Sequence, residues 1–190
     1  MCQRDPTGNG EFVRNKMNLL KRLPPFDSKS GTLNIVIDTP KGCRSKFAYD
    51  MKRKAYVLKS ILPQGALFPF DFGSIPGTVA DDGDPLDALV LMDEPAFCGC
   101  LIESRLVGVI EAEQSEDGKT ARNDRLIAVA AKSQIHADIK SLSDLSPGIA
   151  KRNRTFFHLL QPGTRQTIPA ARAVRSETGR AIGEKTKTQG

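Results

Sequence analysis

Four aspartates fall within the seven residues of the segment DDGDPLD (81–87). Asp82, Asp84 and Asp87 follow the spacing D-x-D-x-x-D, and the glycine and proline between them predict a turn rather than a regular strand. A turn can direct all three carboxylates into one pocket, where they repel one another unless they bind protons or a cation. Ligand sets made only of oxygen select hard cations such as Mg²⁺, Mn²⁺ or Ca²⁺. The segment therefore predicts a divalent-cation site, and the alternative is a solvated hairpin turn.

The sign of the charge changes along the chain. The 190 residues carry a net charge of +6, yet residues 61–124 hold 13 Asp and Glu against three Lys and Arg, and both flanks are basic. Basic flanks that fold back over an acidic centre would suit a site that holds a cation together with an anionic substrate.

Location and cysteine chemistry are indicated by what the sequence lacks. No apolar run is long enough to span a bilayer, and the N-terminus has no continuous apolar segment typical of a secretory signal. We therefore expect a cytoplasmic protein with no membrane partner and with reduced thiols. Zinc is disfavoured because tetrahedral ligand spacing is missing among the cysteines and histidines, which are Cys2, Cys43, Cys98, Cys100, His136 and His158.

Short strand-like segments separated by turns dominate the middle of the chain. Residues 65–79, rich in aromatic residues, proline and glycine, predict bent or edge strands and loops, and residues 114–124 are rich in turn formers. Runs of apolar and alternating residues predict the strands 33–38, 46–51, 55–62, 88–92, 104–113 and 125–131.

A helical pattern follows the strands. A short helix is expected over residues 138–145 and a longer one within 146–163. We expect a polar N-terminal extension over residues 1–30, one barrel domain over 31–165 and a disordered tail over 166–190. Strands followed by helices predict a mainly β fold of the α+β class, in which helices pack outside a small barrel.

The segment DGDPLDALVL (82–91) resembles the signature of the soluble family I inorganic pyrophosphatases, D-G-D-P-φ-D followed by an apolar strand. The resemblance covers residues 33–161 and implies a distorted five-stranded barrel of the OB type. It also implies Mg²⁺-dependent hydrolysis of pyrophosphate, or of a related small phosphoanhydride, by a homo-oligomer, since prokaryotic relatives are commonly hexamers. Other segments match in the same order: VIDTP (36–40), KFAYD (46–50), FPFDFG (68–73), RLVGVIE (105–111), RLIAV (125–129) and TFFHLL (155–160).

The same resemblance implies roles for individual residues. Asp82 and Asp87 would be metal ligands, and Asp84, also at the metal, would orient or deprotonate the attacking water. The phosphates would be held by Lys46, by Lys59 where the family has an arginine, and by Arg125 where it has a lysine. Asp38 stands where a glutamate is usual.

Several positions depart from the family pattern. Ala48 replaces an acid, and Phe72 replaces a tyrosine. Two metal-binding aspartates align with Gln114 and Asn123, whereas a phosphate-binding Tyr-Lys pair aligns with Leu160 and Gln161. Whether Asp117 or Asp124 supplies replacement ligands stays open at this point.

These departures leave several functional hypotheses. The first is a pyrophosphatase that turns over at a reduced rate, because each lost electrostatic partner commonly costs about 10²–10³ in rate. The alternative is a catalytically impaired relative that binds phosphate or acts as a regulatory protein. A third hypothesis, an OB-type nucleic-acid binder, draws on the basic segment KRNR (151–154). It is disfavoured because the chain has few aromatic residues and no tryptophan for stacking.

Overall fold

The computed structural model describes residues 20, 23–80, 83–116, 119–122, 124–149 and 165–167. A 3₁₀ turn, Leu142–Asp144, and a helical segment at residues 147–149 follow the last barrel strand. No helix in this part of the chain is long and apolar enough to cross a membrane. The strands are β1 (Leu33–Thr39), β2 (Ser45–Asp50), β3 (Ala55–Ile61), β4 (Asp71–Ser74), β5 (Asp87–Leu91), β6 (Leu101–Glu116), β7 (Lys119–Arg122), β8 (Arg125–Ala130) and β9 (Arg165–Thr167).

Five strands close into a barrel in the order β1–β4–β5–β8–β6, because β6 pairs with β1 as well as with β8. Neighbouring strands are antiparallel except for the parallel pair β5–β8. The long strand β6 continues past the barrel, where it pairs with β7 and β9. The predicted mainly β fold with a five-stranded barrel is confirmed.

Burial on both sides of the sheet explains the apolar runs in β5 and β8. Successive side chains of a strand point to opposite faces. Leu89 and Leu91 accordingly pack in one core cluster, and Ala88 and Val90 pack in the other. A strand covered on both faces reads as a continuous apolar segment, which is why both strands were recognisable from the sequence.

Strand β4 lies closer to β1 than any side chain larger than hydrogen permits. An ideal Cβ placed on Gly73 would fall inside van der Waals contact of the Val36 carbonyl oxygen and 2.9 Å from Cγ2 of Ile35. Residues 65–79 were predicted as bent or edge strands and loops, but β4 is a buried strand between β1 and β5. The glycine is therefore a condition for closing the barrel.

Strands β2 and β3 form a separate two-stranded sheet, which we call the lysine hairpin because it carries Lys46 and Lys59. Thr39, the last residue of β1, holds it to the barrel. The Thr39 hydroxyl donates to the carbonyl oxygen of Phe47 at 3.1 Å and accepts from the Phe47 N–H at 2.9 Å. The hairpin is thus attached directly beside Asp38.

Two predicted segments differ in the structure. The helix expected over residues 138–145 is replaced by the 3₁₀ turn, at whose N-terminal end the Asp144 carboxylate accepts the N–H groups of Lys140 and Ser141 at 2.9 and 2.8 Å. The turn-rich segment 114–124 is largely strand, since it forms the end of β6 and all of β7. Most of the segment 146–163 lies outside the described residues, and the domain boundaries stay predictions.

Candidate active site

Strand register brings charged side chains to one level of the barrel. The β4–β5 pairing sets Ser74 opposite Asp87, and the parallel β5–β8 pairing sets Asp87 beside Arg125. Asp38 lies in the register shift of β1 against β4, on the other side of Ser74. We call Asp38, Asp87 and Arg125 the charged row.

Asp38 is a buried carboxylate at one end of this row. Its side chain belongs to a residue that is only 3% exposed, and its Oδ2 accepts a 2.6 Å hydrogen bond from the Ser74 hydroxyl. Burial raises its pKa to about 7; the Ser74 hydrogen bond opposes that rise, the charge of Asp87 adds to it and the charge of Lys46 opposes it. Asp87 and Lys46 therefore lie within electrostatic range of Asp38.

Arg125 and Asp87 form an ion pair at the other end of the row. Nη1 of Arg125 lies 2.9 Å from Oδ2 of Asp87, and the Arg125 side chain is 12% exposed. Its guanidinium carbon lies 5.9 Å from the centre of the Phe72 ring, a cation–π arrangement. Phe72 thus offers a ring face that helps to orient the arginine.

The loop before β5 carries Asp84. The Thr78 hydroxyl donates to the Ile75 carbonyl at 2.7 Å and accepts the Leu86 N–H at 2.9 Å, which braces the two ends of the loop. Between them, the Ala80 N–H donates to the backbone oxygen of Asp84 at 2.6 Å. The Asp84 residue is exposed, whereas Asp82 lies outside the described residues.

The two predicted lysines occupy different positions on the lysine hairpin. Lys46 pairs with Ser60 across the hairpin, and the next pair joins Phe47 to Leu58. Lys59 is the extra residue of the β-bulge between these pairs, and it is exposed. A bulge redirects the side chain that it contains. Lys46 lies within electrostatic range of Asp38, and the roles of both lysines stay predictions.

Comparison with known proteins identifies the family of the chain. The family model described as inorganic pyrophosphatase matches residues 35–178. The chain belongs to the inorganic pyrophosphatase family. The inorganic pyrophosphatase of Nostoc is 38% identical over 138 residues, which are 73% of this chain and 79% of that protein. That of Synechocystis is 37% identical over 127 residues, or 67% of this chain and 72% of the other.

Solved structures of the same family agree in fold. The crystal structure of the inorganic pyrophosphatase from Thermus thermophilus superposes with a TM-score of 0.74 at 29% identity, covering 89% of this chain and 97% of that one. The enzyme from Neisseria gonorrhoeae gives a TM-score of 0.73 at 28% identity, covering 89% of this chain and 97% of that one. These relatives support the resemblance drawn from the DGDPLD segment.

The oxygen donors near the charged row fit a hard divalent cation, the kind of cofactor that membership of the pyrophosphatase family implies. Asp84 and Asp87 contribute carboxylates from the end of the loop and the start of β5, and Oδ1 of buried Asp38 has no hydrogen-bond partner among the described residues. In the same part of the chain, no three Cys, His, Asp or Glu side chains converge as a metal-binding group. The third predicted aspartate, Asp82, is outside it.

The positions at which the sequence predicted departures from the family pattern, or replacement ligands, are only partly within the described residues. Ala48 pairs with Val57 in the lysine hairpin, and the backbone of Gln114 pairs with that of Ala121 in β7. Asp124 precedes β8, and its carbonyl oxygen accepts a 3.4 Å hydrogen bond from Arg125. The other positions, outside the described residues, are Asp117, Asn123, Leu160 and Gln161.

Sequence reasoning missed two hydroxyl residues that organise the site. Ser74 bonds Asp38 across the β1–β4 seam, and Thr78 braces the loop that carries Asp84. No spacing rule marks either residue, because their partners are defined by strand pairing and by loop closure. A Ser at the end of the FPFDFGS segment, opposite a signature aspartate, is a signal only once the β4–β5 register is known.

Proposed function

We propose that the protein hydrolyses inorganic pyrophosphate to two phosphates with Mg²⁺ as its cofactor. The observation that carries this proposal is the charged row together with Lys46, which lies within electrostatic range of Asp38. These residues combine carboxylates for a cation with positive charges for an anionic substrate. Membership of the pyrophosphatase family supports the same reaction.

The proposed roles follow from side-chain chemistry. Asp82 and Asp87, with Asp84 beside them, would hold the metal, which would supply positive charge for the phosphates and make the attacking water more acidic. The Asp84 carboxylate orients that water and accepts its proton. Lys46 and Arg125 neutralise the phosphate groups before and during the reaction, when negative charge builds on the leaving phosphate.

Lys59 is proposed as a third phosphate-binding cation at the outer end of the substrate. Its position in a bulge gives it reach, but its exposure means that solvent screens its charge more than that of Arg125. We also propose a cytoplasmic homo-oligomer, hexameric as in prokaryotic relatives. Exposed apolar residues such as Phe97 and Ile135, at 70% and 74% exposure, support association and make native mass spectrometry the direct check.

A phosphate-release assay tests the reaction. The purified full-length protein with Mg²⁺ and pyrophosphate should release phosphate, and Asp84→Asn should lower the rate by at least about 10²-fold, the cost of one preorganised charged group. Asp138→Asn is the matched control, because Asp138 is an exposed aspartate of the described chain away from the DGDPLD segment. Release no faster than in the enzyme-free control, with Mg²⁺ and Mn²⁺ both tried, would reject the proposal.

A second candidate function is phosphate binding without turnover. It is favoured by the neutral residue at Ala48 beside Lys46, which removes an acid but leaves the cation in place. Calorimetry that detects phosphate or pyrophosphate binding in the absence of any phosphate release would support this candidate over hydrolysis.

A further inference from the structure

Oδ1 of Asp38, in the charged row, and the hydroxyl of Tyr56 are buried polar atoms that have no hydrogen-bond partner among the described residues. Nearly all buried polar side-chain atoms in native proteins are hydrogen-bonded to protein or to ordered water. One of these atoms is an acceptor and the other can donate as well as accept. They are therefore chemically complementary.

Packing directs Tyr56 towards Asp38. The Tyr56 ring covers Gly99, since a Cβ on that glycine would lie 3.3 Å from Cε2 of the ring. The Gly99 N–H in turn donates to the carbonyl oxygen of Ile37, the residue before Asp38, at 2.7 Å. Tyr49, on the same hairpin, meets the Tyr56 ring edge to face with centroids 5.3 Å apart. The phenol is thus fixed from two sides.

Electrostatics agrees with this packing. Burial raises the pKa of the Tyr56 hydroxyl, and the charge of Asp38 adds to the rise. The two groups are within range of each other's charge, although they form no direct hydrogen bond. Two complementary buried atoms that lack any partner and do not bond each other are a setting in which an internal water is found.

We propose that Tyr56 is a positioning residue of the site, whose hydroxyl donates to one internal water that in turn donates to Oδ1 of Asp38. Because Tyr56 belongs to β3 and Asp38 to β1, this bridge joins the lysine hairpin to the barrel through β3, whereas the Thr39 contacts join it through β2. The bridge fixes the distance between Lys46 and the charged row. Its effect on substrate binding rests on the proposed function; the water itself does not.

The internal water can be counted without any enzymatic assay. Tyr56 and Tyr49 are the chain's two tyrosines, so Tyr49→Phe provides a matched loss of one phenol hydroxyl from the same hairpin. Oxygen-17 relaxation dispersion of the metal-free protein should show one long-lived water fewer in Tyr56→Phe than in the wild type, and no change in Tyr49→Phe. An unchanged count in Tyr56→Phe would overturn the proposal.

Kinetics tests the positioning role separately. Tyr56→Phe keeps the ring on Gly99 and should raise KM for pyrophosphate about threefold to tenfold, with kcat within about twofold, because the lysine contacts substrate already in the ground state. Tyr49→Phe should leave both constants unchanged. A KM for Tyr56→Phe within twofold of wild type would refute the positioning role. If the wild type releases no phosphate, the proposed function fails while the water count still decides the bridge.

Discussion

Asp38→Asn is expected to stabilise the metal-free protein at neutral pH, although it alters a side chain of the candidate site. The pKa of Asp38 rises from 3.8 to about 7 in the folded protein, chiefly through burial. Below pH 4 the carboxyl is protonated in both the folded and the unfolded protein, so it does not lower the free energy of unfolding. Between pH 4 and 7 the unfolded chain releases its proton while the folded protein retains it, so stability falls with rising pH, and the loss is complete above pH 7.

The size of this effect follows from the difference between the two pKa values. A difference of about 3 pH units corresponds to ~4 kcal/mol of unfolding free energy. A water that donates to Oδ1 would favour the charged form and reduce the gain. We therefore expect Asp38→Asn to be more stable than wild type by about 2–4 kcal/mol at pH 8 and equal at pH 4. Asparagine is nearly isosteric, and its oxygen can still accept from Ser74.

Urea unfolding in EDTA, repeated from pH 4 to pH 8, measures this difference. Asp138→Asn, an exposed substitution of the same chemistry, should follow the wild-type curve at every pH. Parallel curves for Asp38→Asn and wild type across the whole range would refute the reasoning, since they would mean that the buried carboxyl titrates alike in folded and unfolded chains.

Two further outcomes follow from packing and charge. Gly73→Ala should lower the free energy of unfolding by about 3 kcal/mol or more, because the added methyl meets the Val36 carbonyl oxygen inside a closed barrel and the backbone must move. Arg125→Met should raise KM for pyrophosphate at least about tenfold, because it removes the cation that we propose neutralises the phosphate groups and that Asp87 and Phe72 hold in place. Arg125→Lys keeps the positive charge and should stay within about threefold.

A specific result would contradict each of these two predictions. For Gly73, the matched control is Gly31→Ala, where no atom lies within 4 Å of the added methyl and only the positive φ of 68° is unfavourable. Equal losses at both glycines would remove the close-approach argument. For Arg125, equal KM values for the methionine and lysine variants would show that charge at this position does not contribute to substrate binding.

The sequence predicted those strands whose signal is local. Strands β1, β5 and β8 are short runs of apolar residues, and the structure places them within a residue of the predicted bounds. Strand β4 was predicted only as part of a segment of bent or edge strands and loops, because its four residues follow an aromatic and proline-rich stretch and gain their strand structure from pairing on both sides. The 3₁₀ turn Leu142–Asp144 replaced a predicted helix, and its bonds from Lys140 and Ser141 to the Asp144 carboxylate are contacts that an apolar pattern does not reveal.

Some residues of the candidate site were likewise predicted from the sequence, and others are neighbours only in the folded structure. The spacing of the aspartates in the DGDPLD segment predicted a divalent-cation site, and Lys46 was predicted from the resemblance of its strand. The ion pair between Asp87 and Arg125 joins residues that only the parallel β5–β8 pairing makes neighbours. Tyr56 gave no signal in the sequence, because the role proposed for its hydroxyl depends on packing against Gly99, which is distant along the chain.

Closure of the barrel determines how the spacing of the charged row can be lost. A slip of one residue along a strand would displace a carboxylate by about 3.3 Å, enough to remove it from a cation's reach. In a closed barrel, however, a strand that slips loses its register with both neighbours at once, because each strand is hydrogen-bonded on both flanks. The spacing of these charges is therefore kept as long as the barrel stays closed. A change large enough to move one of the carboxylates would also disrupt the tertiary structure.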